Sequence, residues 1–176
     1  STMQSLIVEV SGQRFALPSL QIEQAVPRGV GKFERVAEKL VYRHGKRVLQ
    51  AQFLAESSGL PMNPDRALDD YDAVIVRVDN KPHALAVDKL VDSRELLVKS
   101  PGRYARHIRG VAGLSILGDG SVAVNLDLTQ LLAKSAIHKR VQSNIHAAIQ
   151  IPPQKEQPGI LIVDDALSVR TSLLQL

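Results

Sequence analysis

"LIVEVSGQRFAL", from Leu6 to Leu17, and "VIVRVDNKPHAL", from Val74 to Leu85, are the stretches that decide how this chain folds. Each is an apolar run broken by a charge, then a polar turn, then a second short run ending in Ala-Leu. The turn pairs are Ser11-Gly12 and Asp79-Asn80, residue types that tolerate the left-handed backbone of a tight hairpin. Each stretch therefore reads as two antiparallel strands, and a hairpin with one face to bury is not stable alone. The likeness continues downstream in the same order. "RHGKRVLQAQFLAE" (Arg43–Glu56) matches "LGDGSVAVNLDLTQ" (Leu117–Gln130): a glycine-containing turn, a strand, then a leucine opening a short helix. Gly118, Asp119 and Gly120 give the clearest turn signal in the chain. After each first hairpin comes another β-rich segment, Gln21–Val26 and Ala86–Ser100. Turns at this spacing predict an all-β chain in two halves of about 65 residues, each with roughly five short strands, folded as two similar barrels packed together. The halves fall at Gln4–Leu60 and Ala73–Leu132, with strands free to exchange at the junction.

The segments between follow from composition. "VGKFERVAEKL" (Val30–Leu40) reads as a loop with room for one helical turn. "SSGLPMNPDRALDD" (Ser57–Asp70) carries two prolines, a glycine and clustered acids, and links the halves. From Leu128 to Gln150, apolar residues at helix-compatible intervals predict one or two helices with a thin apolar stripe. "IPPQKEQPG" (Ile151–Gly159) is a proline-rich polar linker, because proline removes backbone donors. The expected organisation is a domain over 4–132, a linker over 133–158 and the start of another domain over 159–176.

The totals exclude several classes. The chain has 176 residues, 44% hydrophobic and 23% charged, ordinary values for a globular protein. Cysteine is absent, so neither disulfides nor thiolate chemistry enter, which fits a reducing compartment. No apolar run approaches the ~18 residues of a membrane span and no signal-peptide pattern opens the chain. The first residue is Ser1, which reads as the start of a piece of a longer protein. The net charge is only +4 and aromatics make up 3%. Nucleic-acid binders concentrate basic charge and add aromatic stacking platforms, so the clusters Tyr42–Arg47 and Gly102–Gly110 read as solvated loops.

Catalytic motifs are missing: there is no Gly-rich phosphate loop and no GxSxG elbow. The five histidines never stand three or four residues apart, and His138 and His146, eight apart, lack further ligands. Asp69, Asp70 and Asp72 read as turn formers; Asp88, Asp92 and Glu95 read as outward charges on an extended segment. Only Asp164 and Asp165 look chemical. They follow "ILIV", a run like a central parallel strand, at whose carboxyl end ligands bind in open α/β sheets. Two aspartates there present hard oxygens to Mg²⁺, although the dipole of a helix N-terminus also favours acids.

Nearly all of Gln4–Leu132 resembles the CheW-like domain of bacterial chemotaxis proteins. The strongest stretch is "ALAVDKLVDSRELLVKSPGRYARHIRGVAGLSILGDGSVAVNLDLTQLL" (Ala84–Leu132); within it "VDKLVDSRELLVKS" is similar to the version that ends CheA-type histidine kinases. The first half departs from the family, with Gln50 where a proline is usual and Phe53 where an acid is usual. "ILIVDDALSVR" looks like the opening strand and helix of a response-regulator receiver, with Ala166 where a small polar residue often stands and the phosphate-accepting strand not in the chain. The resemblance implies two SH3-like barrels about a pseudo-twofold axis, followed by a truncated receiver fragment. It implies a non-catalytic docking module of a hybrid CheA-like kinase, of the kind that controls twitching motility, working in the cytoplasm at membrane-associated receptor arrays. The implied partners are a CheW-type adaptor and chemoreceptor cytoplasmic tips, with a response regulator reached through the parent kinase. Nucleic acid and direct membrane insertion are not expected. No cofactor is implied for this chain: Mg²⁺, held by Asp164 and Asp165, belongs to an intact receiver, and ATP to the parent kinase. The rival is a CheV-type adaptor, a CheW-like domain fused to a receiver without a kinase. Leu20, Ile22 and Val41 are the candidate interface residues, as apolar side chains that a small barrel leaves outside.

Overall fold

The computed structural model describes residues 1–103 and 107–133. The two hairpins form where the sequence places them: β1 (Thr2–Val10) with β2 (Gln13–Pro18), and β7 (Asp72–Val78) with β8 (Lys81–Val87). Their turns hold Ser11 and Gly12 at φ 51° and 76°, and Asp79 and Asn80 at 50° and 62°. Two successive positive φ values are what a two-residue turn needs to match the twist of its strands. Between the hairpins lie β3 (Ile22–Val26), β4 (Lys32–Val36), β5 (Lys39–His44), β6 (Arg47–Phe53) and the one-turn helix α1 (Leu54–Ser58). After them come β9 (Lys89–Leu97), β10 (Val111–Ile116), β11 (Val122–Leu126) and a helix, α2, over 128–133.

The strands do not stay in the half that encodes them. One sheet runs β10-β11-β2-β1-β9 and the other β3-β7-β8-β6-β5-β4. Each sheet is thus the hairpin of one half completed by strands of the other. The exchange repeats residue for residue. In the parallel pairing of β2 with β11, Phe15 faces Val124 and Ala16 faces Asn125; in that of β8 with β6, His83 faces Gln50 and Ala84 faces Ala51. The antiparallel pairs repeat down to their irregularity. β1 and β9 pair Val8 with Leu90 and Ile7 with Asp92, skipping Val91; β7 and β3 pair Val76 with Ile22 and Ile75 with Gln24, skipping Glu23. A duplicated bulge is a duplicated bend, because the extra residue tilts its strand and sharpens its twist.

Three cores follow from strand alternation. Leu6, Val8 and Val10 of β1 join Val74, Val76 and Val78 of β7 in a central core shared by both sheets, with Phe15, Leu85, Val124, Leu54 and Leu128. The opposite faces point into the individual sheets: Ile7 into the first and Ile75 into the second. Burial on both faces explains why "LIV" and "VIV" are unbroken apolar runs. The first sheet closes into a barrel, because the amides of Lys99 and Leu114 each donate to the other's carbonyl at 2.8 Å. Its interior is narrow and partly polar, holding Ala16, Ala123 and the bond from Asn125 Nδ2 to Ser115 Oγ at 2.8 Å. The second sheet curls around Phe33, Tyr42, Phe53 and Tyr71, with Val26 of β3 and Phe33 of β4 reaching one core from opposite edges.

Four expectations change. The second sheet has six strands rather than five. Val30–Leu40 is no helical loop: β4 and β5 form a hairpin whose turn residues, Ala37 and Glu38, sit at φ 49° and 65°. No glycine or asparagine announces that turn, so its sequence reads as loop. Asp72 is not a turn former but a buried residue of β7. Asp88 lies between β8 and β9, where it is bonded into the junction described below. The receiver-like tail, with Asp164 and Asp165, and the residues His138 and His146 lie outside the described residues.

Candidate docking site

At the passage from β8 to β9, two carboxylates gather four segments. The backbone amides of Arg28 and Leu90 donate to Asp72 at 2.8 and 2.9 Å, and Arg28 Nε adds a third bond at 3.3 Å. Asp88 accepts from the Ser11 amide at 2.7 Å and pairs with Arg66 at 3.0 Å. Arg66 also lies 4.4 Å over the Tyr71 ring, and Ser11 Oγ donates to the Pro61 carbonyl at 2.5 Å. These bonds tie the inter-half linker down over a cleft of about 380 Å³ lined by Ser11, Met62, Arg66 and Asp88 among others. Every charge here is paired within the protein, which makes the junction a clasp rather than a reactive centre. Among the described residues no three His, Asp or Glu side chains converge as a metal group would require.

The uncovered apolar surface is elsewhere. Alternation sends Leu40 and Tyr42 of β5 and Leu49 and Ala51 of β6 inward, so Val36, Val41 and Val48 face out from the second sheet. Val36 and Val48 are about half exposed, at 49% and 52%, and Val41 is partly buried between them. An ion pair borders the patch, Arg43 Nε to Glu34 Oε2 at 2.8 Å. Next to Val41 in register come Gln50 and then His83. His83 is held below its usual pKa by burial, with Lys81 adding to the effect.

The pseudo-twofold shows what is unusual in this face. Leu114, Val124 and Phe15 form the equivalent row on the first barrel, and that row packs into the central core. Gln50 and His83, exposed and partly buried, are the counterparts of the fully buried Val124 and Phe15, while Val41 is partly buried like its counterpart Leu114.

Among the described residues Val30, Leu97 and Ile116 are also exposed, and Leu20 is fully exposed at 101% in the single turn between β2 and β3. Its counterpart in the second half is Asp88, which the clasp holds. Ile22, two residues on, packs partly against the central core. Three strands separate β3 from β5 in the sheet, so Leu20 and Ile22 on one side and Val41 on the other make two surfaces rather than one. Gly118, Asp119 and Gly120 form the turn between β10 and β11, with Gly120 at φ 84° and Asp119 accepting from the Ser121 hydroxyl and amide. Sequence reasoning missed Val36 because it read no strand at β4; it read the strand that carries Val48 but named no residue of it for the interface.

A family model described as the CheW-like domain matches residues 4–136. Among curated proteins, the chain is 25% identical over 174 residues to the sensor histidine kinase CheAY of Helicobacter pylori, covering 96% of this chain and 21% of that protein. It is 23% identical over 132 residues to the chemotaxis protein CheA of Bacillus subtilis, covering 75% and 20%. It is 27% identical over 171 residues to the gliding motility regulatory protein of Myxococcus xanthus, covering 97% and 21%. The chain thus spans about a fifth of the length of these relatives. Among solved structures, the scaffolding protein TtCheW of Thermoanaerobacter tengcongensis superimposes with a TM-score of 0.60 at 13% identity, covering 74% of this chain and 88% of that one.

Proposed function

This chain belongs to the CheW-like domain family, and from that premise we propose that it is the docking module of a CheA-like chemosensory kinase. It binds a CheW-type adaptor and, with it, chemoreceptor tips, so that receptor state reaches a kinase domain elsewhere in the parent protein. The observation that carries this reading is the patch of half-exposed Val36 and Val48, with partly buried Val41 between them, on the outer face of the second sheet. Clustered apolar side chains held in water by a rigid sheet are what a partner desolvates. Leu20 supplies a second anchor on the other side of the sheet. The coupling is positional: a partner that prefers one arrangement of the parent protein shifts its population by its differential affinity, with no chemistry in this module.

Similarity to CheA-type relatives over at least three-quarters of the chain favours a kinase parent over an adaptor without one. The matches to the Helicobacter and Myxococcus proteins run on past the double barrel through nearly the whole chain. That continuation supports reading 159–176 as the start of a receiver, with Asp164 and Asp165 as its acidic pair, behind a linker at 133–158.

The test is a pull-down with the CheW-type proteins of the same organism, using wild type, Val48→Asp and Leu20→Asp. Wild type is expected to retain at least one of them, and each variant to weaken retention by tenfold or more, about 1.4 kcal/mol. Retention of none by the wild type would remove the docking reading. Equal retention by all three proteins would move the interface away from both surfaces.

A further inference from the structure

We propose that a second copy of this chain can complete the fold in trans, with the first half of one molecule pairing with the second half of another. Four of the nine strand ladders join the halves: β1 with β9, β2 with β11, β3 with β7, and β6 with β8. The central core is also built from both halves. No barrel can close from one half alone, so a half separated from its mate leaves long unpaired edges and an open apolar face.

The partner that fits those edges is the other half, whether it comes from the same chain or from a copy. A reciprocal exchange would rebuild every ladder and the shared core without any new interface. The one difference is the linker over 59–71, which would leave its clasp and run between two double barrels. Fully extended it reaches about 45 Å, enough for two double barrels side by side. What is given up is the pairing of Arg66 with Asp88 and Tyr71, the bond from Ser11 to Pro61, and the packing of Leu60, Met62, Leu68 and Tyr71 against the cores.

The closed monomer wins in dilute solution because the linker holds the halves at an effective concentration on the order of millimolar. Refolding near that concentration lets the copy compete. Once formed, the exchanged dimer separates only by breaking all four ladders, so dilution should not undo it quickly.

The absence of native cysteine makes the test clean. Gln4 and Glu95 are register partners across β1 and β9, and both are exposed. The full chain is refolded over a wide concentration range and sized by light scattering after gel filtration. A Gln4→Cys copy and a Glu95→Cys copy are refolded together and oxidised, and the same two proteins are mixed without refolding as the control. The expected result is a species of twice the monomer mass whose share rises with refolding concentration, cross-linked in the co-refolded mixture and not in the control. The double variant Gln4→Cys/Glu95→Cys shows that the geometry allows the bond; should it stay open, Thr2 and Leu97, the next exposed rung of the ladder, replace the pair. Monomer alone at every refolding concentration overturns the proposal. So does a dimer without the cross-link, when the bond closes within one chain.

Discussion

At the scale of single residues, stability concentrates in a few carboxylates whose acceptors are fully used. Asp72 takes two backbone amides and a guanidinium inside the protein, where an orphaned donor costs its full desolvation. Asp72→Asn keeps the shape but turns an amide toward those donors, and should cost about 3 kcal/mol, read from a shifted urea midpoint at unchanged slope. Glu23 is the contrasting case on the surface. The hydrogen bond from Arg77, helped by Arg47, holds its carboxyl below the ordinary value of 4.5. A depressed folded-state pKa means that its contribution is present above that ordinary value and is lost as pH falls through the lower one. Solvent screening keeps the contribution small, so Glu23→Gln should cost about 0.5–1 kcal/mol at pH 7. The gap in melting temperature from wild type should close as pH falls through the lowered pKa; a gap that persists in acid would show that packing, not charge, sets it.

Elements carry the strain and the seams. The turn from β4 to β5 holds two non-glycine residues at positive φ, a conformation that costs of order 1 kcal/mol at each. Replacing Ala37-Glu38 by Asn-Gly should therefore raise stability by about 1 kcal/mol, measured as a higher melting temperature with unchanged circular dichroism. The seam of the first barrel is the opposite case. A Cβ at Gly113 would stand 2.5 Å from Val98 Cγ1 and 2.7 Å from the Lys99 carbonyl, where β10 meets the chain that follows β9. Gly113→Ala should push that seam apart at a cost of about 1–3 kcal/mol. Its signature is faster amide exchange at Lys99 and Leu114, which close the barrel. Protection unchanged at those two amides would mean that the closure lies elsewhere.

For the whole molecule, exchanged strands make the two barrels one cooperative unit. Unfolding either sheet strips strands from both halves and opens the central core. Tyr42 and Tyr71 lie in the second core, so their ultraviolet signal and the far-ultraviolet circular dichroism should lose structure in one coincident transition. Leu85→Ala, in the central core, should lower that transition by about 2–5 kcal/mol without splitting it. Two separated transitions would show that the barrels fold independently despite the exchange.

The duplication, the hairpins with their turns, and the succession of strand and short helix were legible in the sequence. They rest on local chemistry: Ser-Gly and Asp-Asn accept positive φ, and the apolar runs of "LIV" and "VIV" need burial on two faces. The hairpin at β4 and β5 was not legible, because its turn residues are held by the ladder around them and not by their own preference. Nor was the clasp, since the partners of Asp72 and Asp88 come from Ser11, Arg28, Arg66 and Leu90, distant in sequence and joined only by the crossing of the chain. Which valines stay exposed was likewise decided late. Val48 and Val124 lie on equivalent strands and look alike as residues, and only the packing of the central core buries Val124 while Val48 stays half exposed.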